Sequence, residues 1–147
     1  MMNFNKFLES KKDFGVLILR SIFGFRLVEG MYIVIFNGQM HGLGDFFAEN
    51  HIPFPKISAY LAVYAELIAG ILFIIGLWVR PAAMIMVFTF TVAIVFIDIY
   101  AGFEKGFPAW SIWAVSFFLL FYGAGKISLD GKLKTTDGDL LPINRTT

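Results

Sequence analysis

The chain has 147 residues, a net charge of +1 and no cysteine, with 58% hydrophobic, 18% aromatic and only 16% charged residues. Soluble domains are nearer half apolar and a quarter charged, so this composition predicts a single-domain membrane protein that crosses the bilayer several times. The lack of cysteine excludes disulfides, thiol redox chemistry and cysteine-ligated iron–sulfur clusters, and no basic stripe with interleaved aromatic residues indicates a nucleic-acid partner.

The N-terminal residues 1–13 have the pattern of a short amphipathic helix. Phe4, Phe7 and Leu8 fall on one helical face, and lysines occupy other positions. This pattern predicts a short interfacial helix on the inner membrane surface. The first membrane span follows at about residues 14–36 without a small-residue cleavage site, so it is expected to be retained.

Three more apolar stretches follow, each near the roughly 20 residues that cross the hydrocarbon layer of a bilayer. They cover about residues 57–79, 81–101 and 109–125. Together with the first span they predict an all-α membrane protein. Its architecture is expected to be an antiparallel four-helix transmembrane bundle over residues 14–127, followed by a polar cytoplasmic tail at residues 128–147.

The distribution of lysine and arginine predicts the orientation of this bundle. With the N-terminus inside, the outer loops carry only two basic residues, Lys56 and Lys105. The inner side collects the other basic residues outside the spans: Lys6, Lys11, Lys12, Arg80, Lys126, Lys132, Lys134 and Arg145. Because basic residues stay preferentially on the cytoplasmic side, we expect both termini in the cytoplasm.

The loop between the first two spans contains apolar residues that a free loop would not expose. Their position beside the predicted bundle indicates a lid over its outer mouth, or a segment that dips into the interface. The lid residues are Phe46, Phe47, Ile52 and Phe54.

Two histidines, His41 and His51, lie in the same loop, with Asp45 and Glu49 between them. The spacing is a weak pattern for a metal site, and a solvated loop explains it better, so no metal site is predicted. Because both histidines lie in one loop, they cannot ligate a haem between two spanning helices.

Five ionisable residues lie inside the predicted spans: Arg20, Arg26, Glu29, Glu66 and Asp98. Each costs about 2.5–3.5 kcal/mol near the centre of a membrane helix, so we expect them to face protein or water. Helix rise places Arg26 and Glu66 at matching depths near the midplane, and Glu66 lies in a seam of small residues on the second span. We therefore predict an intramembrane polar cluster in which Arg26 and Glu66 contact each other, directly or through Glu29.

The spacing of these charges leaves two interpretations open. The cluster is either an ion-pair network that fixes helix packing, or a polar pocket that opens outward. Such a pocket would bind a small ligand or a quinone head group, or would move protons. Arg20 lies on another face of the first span, within reach of the inner boundary.

Segments at residues 19–24, 46–55, 66–77, 80–83 and 122–130 share their order and spacing with a known family. Together they resemble the DoxX family, over about residues 14–131. The resemblance implies a four-helix protein of the bacterial inner (plasma) membrane, in which Arg20 and Glu66 are characteristic positions. A Gly-x-x-Lys spacing that often closes the first span in this family is absent, since Gly30 is followed by Met, Tyr and Ile.

The family's namesakes are small subunits linked to quinone-reducing thiosulfate oxidation, and other members belong to membrane oxidoreductase complexes. The resemblance implies an accessory or quinone-interacting subunit of such a complex, with the lipid bilayer and other subunits as partners. The chain has no catalytic motif and no redox group of its own, so a quinone is the one cofactor implied. Two alternatives remain: a carrier for a small anionic or amphipathic solute with Arg26 as counter-charge, and a non-enzymatic scaffold or chaperone.

Overall fold

The structure is a computed structural model that describes the backbone of residues 2–133 and the side chains of residues 11–100 and 102–133. All regular secondary structure in this part of the chain is helical, as predicted from composition and hydropathy. Residues 134–147, most of the predicted cytoplasmic tail, lie outside the described residues.

The elements follow the chain in a simple order. They are α1 Met2–Phe36, α2 Met40–Glu49, α3 Pro55–Ile75, α4 Val79–Ala93, a π-helical segment Ile94–Asp98, α5 Ile99–Ala101 and α6 Phe103–Tyr122. The start of α3 follows from its proline, because the missing N–H would have no helical partner in the first turn. Its end follows from Gly76, whose left-handed backbone (φ +74°) closes the helix.

The first helix differs from the prediction. The expected interfacial helix and the first span form one continuous helix, α1, without a break near residue 13. No proline interrupts this stretch, and the cost of Gly15 inside a helix, about 0.5–1 kcal/mol, is too small to end it. The loop that follows α1 contains a second helix, α2, which begins at Met40 and includes Asp45.

Two glycines form a close contact between α1 and α3. A Cβ atom on Gly24 of α1 would lie 2.7 Å from the carbonyl oxygen of Gly70 in α3, and one on Gly70 would lie 2.8 Å from the carbonyl oxygen of Gly24. Small residues of this kind allow helix backbones to approach closely, as membrane packing requires. Further along α1, Arg20 meets Gly76, so α1 and α3 run antiparallel.

The remaining long helices pack beside this pair. α4 contacts α3, and α6 contacts both α4 and α1. Each of the four long helices contributes a large side chain to the buried core: Leu27, Phe73, Met86 and Leu119.

Two helical stretches, Pro55–Ile75 and Val79–Asp98, are long and apolar enough to cross a membrane. Their length and composition agree with the second and third predicted spans. The outward side of α3 exposes large apolar and tyrosine side chains: Ile57, Leu61, Tyr64, Ile68, Ile71 and Ile75. A surface of this composition fits a lipid environment better than water.

Candidate functional site

A cleft of about 550 Å³ opens between α3 and α4, near α2. One wall comes from α3, the facing wall from α4 and the π-helical segment, and the end from the loop after α2. The walls are almost entirely apolar, with aromatic rings from Phe88 and Phe96. The π-helical segment forms part of the cleft wall, and π-helical turns occur often at functional sites.

Glu66 is the ionisable side chain among the described residues that line the cleft. α3 places it beside Ala62 and Ala65, whose small side chains also line the cleft. This carboxyl group forms no hydrogen bond and no ion pair with any residue in the described part of the chain. A carboxyl group in apolar surroundings without a partner is costly, so it calls for a ligand, water or a proton.

Two hydroxyl groups add polar character to the cleft. Ser58 donates to the carbonyl oxygen of Pro53 at 2.7 Å, and Thr89 donates to that of Ile85 at 3.0 Å. Each oxygen can still accept a hydrogen bond. The cleft therefore combines a large apolar volume with a few polar atoms, which is the usual composition of a small-molecule site.

Three of the four predicted lid residues line this cleft: Phe47, Ile52 and Phe54. Ile52 is buried, whereas Phe46 is exposed and lies outside the cleft. The backbone here is strained, because His51 and Phe54 adopt left-handed conformations with φ of 59° and 51°. Such conformations cost about 1–3 kcal/mol each in a residue other than glycine, so the surrounding structure must hold the lid in place.

The structure does not bring Arg26 to Glu66, and the predicted pairing of these two residues is wrong. Arg26 is instead 3.9 Å from Glu29, and their side chains are 58% and 51% exposed. The reason is the direction in which the Arg26 side chain leaves the axis of α1. Gly24 faces α3, and two residues further along the helix the side chain has turned by about 200°, to the opposite side of α1.

The other two charges also lie apart from Glu66. Arg20 is 2% exposed and packs against Gly76, ten residues and about 15 Å along α3 from Glu66. Asp98 ends the π-helical segment and lies against Gly106, where an added Cβ would be 2.8 Å from the Cβ of Asp98. Arg26 and Glu29 therefore form one pair, whereas Arg20, Glu66 and Asp98 each lie elsewhere, and the five charges do not form one cluster.

The sequence model of the DoxX family matches residues 15–99, which is more than half of the chain. The chain belongs to the DoxX family. Membership confirms the resemblance found in the sequence, and together with the two long apolar helices it indicates a membrane protein. Comparison with curated proteins and with solved structures finds no match.

The DoxX match includes Arg20, the lid and Glu66, and it ends one residue after Asp98. Among the residues that the structure describes, neither histidine of the α2 region takes part in a group that could hold a metal. Within residues 11–100 and 102–133, no three acidic or histidine side chains are placed together in that way.

Sequence reasoning missed a polar contact network beyond the DoxX match. Residues 123–131 fold back after α6, and Ile127 accepts a hydrogen bond of 2.6 Å from Nη2 of Arg20. Asp130 accepts from the backbone N–H groups of Trp78 and Val79 at 3.0 and 3.2 Å. Asp13 accepts from the N–H of Lys126 at 3.1 Å. An Asp-Gly pair such as Asp130-Gly131 is typical of a turn, but nothing in the local sequence indicates which helix the turn contacts.

Proposed function

We propose that this DoxX-family protein binds a quinone, or a ligand with a similar flat head group and apolar tail, in the Glu66 cleft. It would act as an accessory subunit of a membrane oxidoreductase complex. The observation that carries the proposal is the Glu66 carboxyl group, which has no partner among the described residues although the cleft around it is apolar. A ligand with one or two polar ring atoms would supply that partner.

The chemistry of the cleft supports this class of ligand. A protonated Glu66 donates to a ring carbonyl oxygen, and an ionised Glu66 accepts from a ring hydroxyl. The rings of Phe88 and Phe96 offer flat apolar surfaces for a head group. The electrons would come from a partner subunit, because the chain has no cysteine and no evident redox group of its own.

A carrier for an anionic solute has less support. The counter-charge assigned to it, Arg26, lies on the side of α1 away from Gly24 and does not line the cleft. The lining contains no lysine, arginine or histidine among the described residues. A site without positive charge does not favour an anion.

The proposed setting is the bacterial inner membrane. The four long helices would cross it as an antiparallel bundle, with both termini in the cytoplasm. The antiparallel packing of α1 against α3 and the lysine and arginine distribution support this arrangement. With this orientation, the lid covers the outer end of the bundle and the cleft opens in its outer half.

The test is a binding titration with decylubiquinone on the full chain in lipid nanodiscs, followed by native mass spectrometry. Glu66→Leu removes the polar contact and should weaken binding about tenfold, the equivalent of one hydrogen bond of about 1.4 kcal/mol. Glu66→Gln keeps a hydrogen-bond donor and an acceptor, so its affinity should lie between that of the native chain and that of Glu66→Leu. The matched control is Asp98→Asn, a similar change outside the cleft, which should bind as the native chain does.

Two results would contradict the proposal. One is the absence of saturable binding by the native chain. The other is equal affinity of native protein and Glu66→Leu, because the carboxyl group would then make no contact with the head group. If a stable protein partner co-purifies without any quinone, the scaffold alternative gains the support that the quinone proposal loses.

A further inference from the structure

One face of α1 is not covered by any described residue. Its positions follow the chain in alternating steps of four and three, the spacing of a seam between two helices. All of these side chains are between 45% and 70% exposed: Ile18, Ile22, Phe25, Glu29, Tyr32 and Phe36. Arg26 lies beside this seam and pairs loosely with Glu29 at 3.9 Å.

An exposed stripe of this spacing does not by itself indicate a protein partner. α3 has an exposed stripe with the same steps, from Ile57 through Tyr64 to Ile75. That stripe contains only apolar residues and tyrosine, and lipid tails can cover it without leaving a charge unpaired. The α1 seam differs in one respect, since a carboxylate and a guanidinium lie in its middle.

The contact between Gly24 and Gly70 fixes the height of these charges. Glu29 is five residues beyond Gly24, and Gly70 is five residues before the end of α3 at Ile75. Glu29 therefore lies about 15 Å from that end, near the middle of a helix about 31 Å long. In a membrane that α3 crosses, which its length and composition allow, Arg26 and Glu29 lie at mid-membrane depth. Charged groups at this depth normally face protein or a water-filled cavity.

We propose that two copies of the chain associate through this face of α1, so that Arg26 of each copy pairs with Glu29 of the other. Two copies with the same orientation are related by a two-fold axis along the membrane normal, which brings residues of equal depth together. The axis places like residues at equal depth, and because Arg26 and Glu29 are one helical turn apart, each Arg26 side chain extends about 4.5 Å along the axis to reach Glu29 of the other copy. The four charges sum to zero at the centre of the interface.

A second copy is favoured over another membrane protein by this self-complementarity. A different partner would need its own acid and base at the same depth, whereas the chain already supplies both. A charged residue within an otherwise apolar seam also fixes register and the number of helices, because other alignments leave it unpaired. The seam lies on the side of α1 away from Gly24 and the cleft, so this proposal does not depend on the proposed ligand.

The first test uses cysteine cross-linking, which has no background because the chain lacks cysteine. Tyr32→Cys places a thiol on the seam, and Tyr64→Cys places one on the exposed stripe of α3. The two tyrosines are 55% and 51% exposed, and their depths agree within about 3 Å. Mild oxidation in native membranes should give a disulfide-linked dimer for Tyr32→Cys and none for Tyr64→Cys.

The second test changes the charges in the Tyr32→Cys background. Arg26→Glu would bring four carboxylates together, so the cross-linked dimer should be lost. Adding Glu29→Arg restores two acids and two bases and should restore the dimer. Mass spectrometry of the product should give twice the 16.6 kDa of the chain, apart from the cysteine change.

Three outcomes would overturn the proposal: equal cross-linking of the two cysteine variants, an Arg26→Glu dimer as abundant as the parent's, or a product that contains another protein. If Arg26→Glu does not accumulate in the membrane, the number of copies per particle is measured on the native chain. Dye-labelled protein diluted into excess lipid should bleach in two steps per particle, and predominant single-step bleaching would contradict the dimer.

Discussion

Asp130 shows how one side chain outside the predicted spans can cap the start of a helix that is distant in the sequence. The first N–H groups of a helix have no partner within it, and those of Trp78 and Val79 at the start of α4 donate to the two Asp130 oxygens. A negative charge at this position is also favoured by the helix dipole. Trp78 itself has a left-handed backbone with φ of 50°, which an external acceptor helps to maintain.

The first prediction concerns this capping interaction. Asp130→Ala should lower the free energy of unfolding by about 1–2 kcal/mol, because two helix N–H groups lose their acceptor. Asp130→Asn keeps one oxygen and should cost less. Thermal unfolding in detergent measures both, with the exposed Asp45→Ala in α2 as a control expected within about 0.5 kcal/mol of native. Equal effects at Asp130 and Asp45 would show that the cap contributes nothing.

Arg20 illustrates a second residue-scale point. The sequence placed it on another face of the first span, within reach of the inner boundary, and the structure buries its guanidinium between Gly76 and the carbonyl oxygen of Ile127. The carboxylate of Asp130 lies close enough to stabilise its positive charge. Arg20 thus joins α1 to the segment after α6, a positioning role that does not involve the Glu66 cleft.

At the scale of elements, the contact between α1 and α3 depends on the absence of two side chains. Gly24 and Gly70 face each other so closely that a Cβ on either would approach the opposite carbonyl oxygen within 3 Å. This contact sets both the height and the rotation of α1. It therefore decides which side chains of α1 face protein and which face outward.

The second prediction tests this contact. Gly24→Ala should destabilise the protein by about 1–3 kcal/mol, because the two backbones must separate to admit the methyl group. Gly15→Ala in the same helix has no heavy atom within 4 Å of the added Cβ and should be neutral or stabilising by up to about 1 kcal/mol. The stabilities of the two variants are compared by thermal unfolding in the same detergent. If Gly24→Ala is as stable as Gly15→Ala, the helices have room that the structure does not contain.

The lid and the π-helical segment are the elements that give the cleft its shape. The loop after α2 contributes Ile52 and Phe54, and the segment Ile94–Asp98 contributes Phe96 to the facing wall. Both depart from regular backbone, one through left-handed residues and the other through its wider helical turn. Irregular backbone of this kind is common where a protein binds a ligand.

At the scale of the whole molecule, the orientation in the membrane decides whether the cleft lies in the outer or the inner half of the bilayer. The third prediction places Asn50 and Lys105 outside, and Lys12 and Arg80 inside, from the lysine and arginine distribution. Single cysteines at the first two positions should react with a membrane-impermeant maleimide in intact cells, and those at the other two only after permeabilisation. Labelling of a cysteine at Arg80 in intact cells would contradict the proposed topology.

Much of the fold follows from local sequence properties. The all-helical class, the ends of α3 and the two apolar stretches that are long enough to cross a membrane follow from hydropathy, proline and glycine, and they need no tertiary information. The π-helical segment could not be predicted, because the five residues Ile94–Asp98 contain no glycine or proline that would indicate it. The binding of Asp130 to the start of α4 was equally hidden, since 51 residues separate it from Val79.

The sequence by itself determined the family, the membrane character and the identity of the candidate residue Glu66, because hydropathy, charge and motif order are read along the chain. Only the tertiary structure decided which neighbours each charge meets. Depth along a helix follows from residue number, so Arg26 and Glu66 could be matched in height. The direction in which a side chain leaves its helix depends on how that helix packs against another one. Here the contact of Gly24 with Gly70 fixes the rotation of α1. Arg26 is two residues after Gly24, so its side chain points about 200° away from that contact. For this reason Arg26 faces away from α3, and Glu66 lines an apolar cleft without a charged neighbour.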